Sequence, residues 1–349
     1  MPKGPVLYII LSASLFGLSP PLAKLLVKDI PPVALAGLLY LGSFAGLSIF
    51  RWGRNALGPA RKKAAALEKK DIPWLAGAIL SGGILGPILL MFGLRFISGF
   101  SASLLLNLEG LATALIAVIL FREYTGGRFW VALIVMTLAG VFLSWDPDMS
   151  RFSLQGPLLV TAAMVCWGID NNLTGQISDK DPVQIAQIKG LLAGGFSLLL
   201  AVLLGMSIPF DTSLGLALLL GSLSYGLSLV LFIKALQKLG ASRTGAFFSL
   251  APFVGAVFSL AFLKEWLGWL MIPATGLMIL GVYLIWRERH AHWHQHIPQT
   301  HTHTHRHDDG HHMHPHPDDT QEPHVHEHSH PRVEHTHLHW PDTHHRHEH

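Results

Sequence analysis

At 349 residues, 50% hydrophobic and only 13% charged, with 34 glycines and a mean hydropathy of +0.40, the chain is too apolar for an ordinary soluble enzyme. All 23 histidines lie between His290 and His349, so the average understates how apolar the rest is, and the chain joins a membrane body to a polar tail. The formal net charge is +3 with histidines neutral, and no nucleic-acid partner is expected.

Ten runs long enough to cross a hydrocarbon core, about 20 residues each in helical form, follow one another along the body. The first five lie near Val6–Val27, Val33–Phe50, Trp74–Leu94, Phe100–Phe121 and Phe129–Trp145. Five more lie near Gly156–Gln176, Val183–Leu204, Leu214–Lys234, Arg243–Leu263 and Leu267–Trp286. The first run is too long for a signal-peptide core, lacks a small-residue cleavage pattern and is followed by similar runs, so it is a span. Within it Pro20-Pro21 removes two backbone donors and must bend or break the helix. With the N-terminus in the cytoplasm, sixteen basic residues fall inside and five outside. That bias predicts both termini cytoplasmic in a cell (inner) membrane, with lipid as a partner throughout. The basic loop Ala60–Lys70 then lies inside, as a topology anchor that would suit an anionic leaflet. Cys166 is solitary and excludes an intrachain disulfide. Trp130, Trp145, Trp266 and Trp286 sit near helix ends, as interfacial anchors do.

The sixth run is the one with a polar centre: Trp167-Gly168 is followed by Asp170, Asn171 and Asn172. An ionisable group in a bilayer costs roughly 2.5–3.5 kcal/mol on insertion scales and usually faces a protein interior or a water-filled cavity. Glu109 lies near the middle of the fourth run. Lys189 lies in the seventh at about the depth of Asp170, where it would pair with that acid or snorkel to the interface. Gln187 and, on the eighth run, Tyr225 are candidates to line the same cavity. The competing reading is a set of buried polar groups satisfied by one another and by backbone. There is no phosphate loop, nucleophile elbow, paired-carboxylate hydrolase pattern or Zn site with Cys spacing, so no enzymatic activity and no required cofactor are expected.

An internal repeat organises the body. Leu94-Arg95-Phe96-Ile97-Ser98-Gly99 resembles Leu236-Gln237-Lys238-Leu239-Gly240-Ala241, and the same offset lays Leu120-Phe121-Arg122-Glu123 on Phe262-Leu263-Lys264-Glu265. Leu138-Ala139-Gly140-Val141 echoes Ile279-Leu280-Gly281-Val282 after a one-residue slip. Five spans per copy is an odd number, so the copies are expected to insert with opposite orientations. At these residues the sequence resembles the EamA-type members of the drug/metabolite transporter superfamily. Phe121-Arg122-Glu123 and Leu263-Lys264-Glu265 match the family's corners, although the helix proline of the second copy, Pro252, has no counterpart in Leu108-Glu109-Gly110-Leu111. The resemblance implies an all-α membrane protein of ten transmembrane helices in two inverted five-helix repeats. It also implies a secondary transporter, often an exporter, with a central cavity between the repeats. The expected units are residues 1–146 and 147–289, followed by a disordered His-rich cytoplasmic tail over residues 290–349.

In the tail, His301, His303, His305 and His307, then His311, His312, His314 and His316, and later His324, His326, His328 and His330 alternate with small or polar residues. Neutral imidazole is a ligand for Ni, Co and Zn, and dense histidine offers interchangeable sites in place of one cage. The expected function is export of a small organic metabolite, with substrate or proton groups at Glu109, Asp170, Asn171, Asn172, Lys189, Gln187 and Tyr225 and divalent metal binding at a regulatory tail. The alternatives are direct efflux of a divalent transition metal, and a membrane-anchored metal buffer or sensor.

Overall fold

The computed structural model describes residues 3–56, 67–121, 127–143, 154–177, 180–239, 247–265, 268–286, 290–296, 299–305, 324–330 and 333–339. Helices α1 (Lys3–Gly17) and α2 (Ser19–Leu26) form one apolar span that is interrupted just before Pro20-Pro21, where the missing donors were expected to interrupt it. Helix α3 (Pro32–Ala56) is continuous. The third span is built from a 3-10 turn (Lys69–Asp71), α4 (Ile72–Ala78), a π-helical turn (Ile79–Leu85) and α5 (Gly86–Gly93). The fourth is split into α6 (Gly99–Leu105) and α7 (Leu108–Phe121), and α8 (Gly127–Leu143) closes the first unit.

The second unit repeats this plan. It comprises α9 (Gln155–Gly175), α10 (Pro182–Leu203), then α11 (Thr212–Leu220), a π-helical turn (Gly221–Leu227) and α12 (Ser228–Leu239). Helices α13 (Ala251–Phe262) and α14 (Met271–Trp286) follow. The π-turns begin at Ile79 and Gly221 and end at Leu85 and Leu227, so both are displaced by the spacing that relates Leu94 to Leu236. Among the described residues, six helical stretches are long and apolar enough to cross a membrane, and Trp130–Leu143, Ala251–Phe262 and Met271–Leu284 are shorter apolar helices.

Packing obeys the same relation. Helix α9 lies on the third span as α1 lies on α12; α7 lies on α9 as α13 lies on α1; α3 crosses α10, and α8 lies along α14. These contacts rest on small residues and hydroxyls, which let backbones approach closely in lipid. A Cβ at Gly194 would fall 2.8 Å from the Leu41 nitrogen, and one at Gly190 3.0 Å from the Tyr40 carbonyl, so α10 crosses α3 at glycine. Ser12 Oγ donates to the Ser228 carbonyl at 2.7 Å and Ser228 Oγ donates back to Ser12 at 3.0 Å, joining α1 to α12. Leu35, Leu39, Met91, Leu105, Met136 and Met164 are fully buried at the centre, while Ile49, Ile134, Leu203, Val257 and Ile272 are exposed. An apolar exterior of this extent suits acyl chains and not water.

Within the tail the described residues form four strands. Strands β1 (His290–His296) and β4 (Val333–His339) pair antiparallel, as do β2 (Gln299–His305) and β3 (His324–His330). Histidine alternating with Thr, Val or another residue has the period of a strand, and the register sets His292 opposite His337 and His303 opposite His326.

Candidate functional site

The fourth span breaks at Leu106-Asn107, and the ninth breaks at Ser249-Leu250, equivalent to within one residue. In the second unit Pro252 at the start of α13 accounts for the break, because proline is accepted in a first turn and not in a helix interior. The first unit lacks that proline; Asn107 Nδ2 donates to the Leu104 carbonyl at 3.0 Å in its stead, offering the backbone a local alternative to helix. Glu109 is thereby placed in the first turn of α7. A half-helix N-terminus favours a negative side chain there.

Asn171, on α9, donates to Glu109 Oε1 at 3.0 Å and to Thr113 Oγ1 at 3.1 Å. Thr113 Oγ1 in turn donates to the Glu109 carbonyl at 2.8 Å. Asn172 Nδ2 donates to the carbonyls of Thr113 at 3.0 Å and Gly168 at 2.8 Å. The two amides thus tie α9 to the break in the fourth span. Asn171 is exposed, and Glu109 and Thr113 are partly so.

One residue before Asn171, the buried Asp170 pairs with Lys189 of α10 and accepts a hydrogen bond from Thr174 Oγ1 at 3.0 Å. The ion pair therefore forms, and Lys189 does not snorkel. Asp170 also rests on the first π-turn, where a Cβ at Gly82 would run into its carboxylate. The Gly82 carbonyl accepts from Tyr40 Oη at 2.7 Å and from Trp167 Nε1 at 2.9 Å. A π-turn shifts the usual backbone ladder and often marks a functional position. Here its glycine backbone meets an acid and a tryptophan from α9 and a tyrosine from α3.

Tyr225 lies in the second π-turn and accepts from Ser19 Oγ at 3.1 Å. Its ring centroid is 5.6 Å from that of Tyr40 and 6.0 Å from that of Phe16; Phe16 is 6.2 Å from Trp167 and 5.4 Å from Phe248. Tyr40 and Trp167 share the carbonyl of Gly82, the residue against which the Asp170 carboxylate also rests, which places the aromatic group beside the charged group. Gln187 stands apart: it accepts from Arg51 Nη1 at 2.9 Å and donates to Ser48 at 3.2 Å, joining α10 to α3. Sequence reasoning missed Thr113, Gly82, Tyr40, Phe16 and Trp167. A tyrosine inside an otherwise apolar run was the one available signal; the π-turn gave none.

Of the tail histidines, His301, His303 and His305 lie on β2 and His324, His326, His328 and His330 on β3. His307, His311, His312, His314 and His316 lie outside the described residues, as do Glu123, Trp145 and Trp266. Among the described residues no group of three or more His, Cys, Asp or Glu is placed to hold a metal ion.

Apolar helices in two like units, with broken fourth spans and an acid at the break, describe a multi-pass membrane transporter. The chain belongs to the EamA-like transporter family, which matches residues 3–145 and 154–287. A protein of Methanothermobacter thermautotrophicus named an uncharacterized transporter is 27% identical over 293 residues, 80% of this chain and 84% of its own. One crystal structure, 20% identical, covers 81% of this chain and 98% of that chain with a TM-score of 0.55, a likeness of fold alone.

Proposed function

We propose that this chain is a secondary transporter that exports a small organic solute across the cell membrane, both termini cytoplasmic, by way of the region between its repeats. Glu109 and Asp170 are the acids that couple movement to protons, and Asn171, Asn172, Lys189 and Tyr225 shape their surroundings. The supporting observation is the placement of Glu109 at the break of the fourth span, hydrogen-bonded to α9 beside the Asp170–Lys189 pair. Half-helix ends near the midplane are where transporters hold ions and polar solutes. Asp170 has a cation as partner, whereas the described side-chain partner of Glu109 is the neutral amide of Asn171. Loss of a proton from Glu109 therefore changes the net charge of the region, and any element that carries Glu109 across the span must respond to it. Gln187, held by Arg51 and Ser48, takes a structural role between α3 and α10.

The tail regulates this activity by binding Ni, Co or Zn at histidines brought opposite one another, such as His301 and His328. The test of the central claim is flux in reconstituted vesicles under a pH gradient. Glu109→Gln and Asp170→Asn should each insert and express as the parent does and lose coupled transport, because the amides keep the shape and remove the exchangeable proton. Full activity in both variants would reduce the two acids to structural groups.

A further inference from the structure

We infer that the corner where the start of α1 meets the ends of α3 and α12 holds the phosphate headgroup of an anionic phospholipid, with the acyl chains along the apolar flank of α3. The inference is independent of what the protein carries. It begins with an imbalance of charge. Helices α1, α3 and α12 contain five basic residues, Lys3, Arg51, Arg54, Lys234 and Lys238, and no acid. Lys3 opens α1, while the other four belong to the closing turns of α3 and α12. The structure brings these three helix ends together: Lys234 Nζ stands 5.9 Å from the ring centroid of Tyr8, on α1, and 5.5 Å from that of Phe50, on α3.

The second observation is how two of these cations are held. An aromatic ring attracts an ammonium group through its negative face and carries no net charge of its own, so Tyr8 and Phe50 position Lys234 without supplying a counter-charge. Arg51 Nη1 donates to the neutral amide of Gln187 at 2.9 Å, which orients the guanidinium in the same way. Both cations are exposed and neither pairs with an acid among the described residues, whereas Lys70, Lys180 and Lys189 each pair with a carboxylate. A planar fork of N–H donors and an ammonium point charge are the two donor sets that bind phosphate best. The surface beside them selects a lipid over a free phosphate: Ile49 and Trp52 on α3 are 69% and 76% exposed, and Leu7 on α1 is 62% exposed. An anion site bordered by apolar surface at the end of a membrane helix fits an amphiphile, and an exposed tryptophan suits the headgroup level. On the proposed topology this corner meets the cytoplasmic leaflet, where anionic lipids attract basic segments next to membrane helices.

The probes are phosphatidylglycerol, phosphatidylcholine and inorganic phosphate, each titrated into the full chain in detergent at about pH 8, where the tail imidazoles are neutral. Bound lipid is counted by native mass spectrometry. The wild type should retain phosphatidylglycerol in preference to phosphatidylcholine, and inorganic phosphate should not displace it. Lys234→Gln should weaken retention about fivefold, the worth of one basic residue at an anionic surface, while Lys234→Arg, which keeps the charge, should preserve it. Phe50→Ala should weaken retention with the charge intact, because Lys234 loses a ring that positions it. Arg95→Gln removes an exposed cation that belongs to none of the three helices and should leave retention unchanged. Brominated phosphatidylglycerol should quench the wild type more than Trp52→Phe, since Trp52 borders the acyl chains. Equal retention of the two lipids, or equal losses in Lys234→Gln and Arg95→Gln, would overturn the site. Displacement of the lipid by inorganic phosphate would make this a soluble-anion site and overturn the lipid assignment, and quenching unaltered by Trp52→Phe would overturn the placement of the chains on α3.

Discussion

Gly17 and Gly168 occupy like places on α1 and α9, and each faces backbone, so neither tolerates a side chain. A Cβ at Gly17 would run into the Ala251 carbonyl at the start of α13, and one at Gly168 would fall 2.9 Å from the Thr113 nitrogen and 3.0 Å from the Ala112 carbonyl carbon. The two seams are equivalent in the repeat and opposite in chemistry. Where the first sets Gly17 against Ala251 and Gly255, the second sets Gly168 against Ala112 and Thr113, beside Glu109 and its asparagine. Backbone cannot turn aside as a flexible side chain does, so Gly168→Ala must push α9 from α7 and stretch the Asn171–Glu109 and Asn172–Thr113 hydrogen bonds. Overpacking of this kind costs about 1–3 kcal/mol. A clear fall in thermal stability in detergent, with loss of transport, is expected for Gly168→Ala. Gly110, one residue beyond Glu109, has open space at its Cβ position; Gly110→Ala should change stability by no more than about 0.5 kcal/mol. Equal effects from the two substitutions would remove the argument for a tight seam at Gly168.

At the level of elements, each unit is fastened by acids that sit outside the helices they hold. Lys264 adopts φ = 50°, and the turn it makes presents Glu265 to the start of α6, where its carboxylate oxygens accept from the nitrogens of Gly99 and Phe100 at 2.8 Å each. The corner after α13 thus caps a helix of the other unit. Glu265→Ala strips two donors of their acceptor and should cost about 1–2 kcal/mol, as loss of a helix cap does, read as a lower melting temperature. Glu68 is the counterpart ahead of the third span: with Asp71 it holds the buried Lys180, at 2.8 and 3.6 Å, and it also pairs with Lys70 at 3.0 Å. The hydrogen bond from Lys180, then that from Lys70, holds the Glu68 carboxyl down from 4.5 to about 2. A depressed carboxylate stabilises the fold fully above its unfolded value and loses that contribution as pH falls toward its folded one. The difference in melting temperature between wild type and Glu68→Gln should therefore be constant above about pH 5 and shrink between pH 4.5 and 2. Such fastenings mark the limit of what the chain discloses by pattern. The helical stretches, the repeat and the polar centre Asp170-Asn171-Asn172 within an apolar run were legible because they depend on hydropathy and spacing. The π-turns were not, since Ile79-Leu80-Ser81-Gly82-Gly83 has no composition that separates a π-turn from an α-helix. The break before Glu109 was also hidden: it depends on where one asparagine side chain donates, and the proline that would have announced it is absent.

Over the whole molecule, basic side chains and histidines give the two faces and the tail their distinct roles. On the proposed topology, which rests on sixteen basic residues against five, Leu67 and the tail face the cytoplasm. A cysteine introduced at Leu67 in a Cys166→Ser background should resist an impermeant reagent added to intact cells and react after lysis; labelling in intact cells would invert the topology. The tail carries the further step. Two-stranded ribbons are marginally stable in water at best, and β1 with β4 and β2 with β3 are ribbons of seven residue pairs each. Their register sets His290, His292 and His294 opposite His339, His337 and His335, and His301, His303 and His305 opposite His328, His326 and His324. Residues directly opposite on one face of an antiparallel pair stand about 4.5–5.5 Å apart at Cβ, within the span that a metal bonded to two imidazoles at about 2.0–2.1 Å can bridge. On the proposed metal binding, ligation and ribbon formation would be linked, each favouring the other, and ligation requires neutral imidazole. Titration of the full chain with Ni at pH 7.5 should show several ions bound, a gain of strand signal by circular dichroism, and loss of both when pH drops below about 6.5. A chain ending at Arg289 should bind none of these ions and should still carry out proton-coupled transport, with its response to added Ni gone. Retention of that response without the tail would place the regulatory metal elsewhere in the protein, and loss of all transport would make the tail part of the pathway.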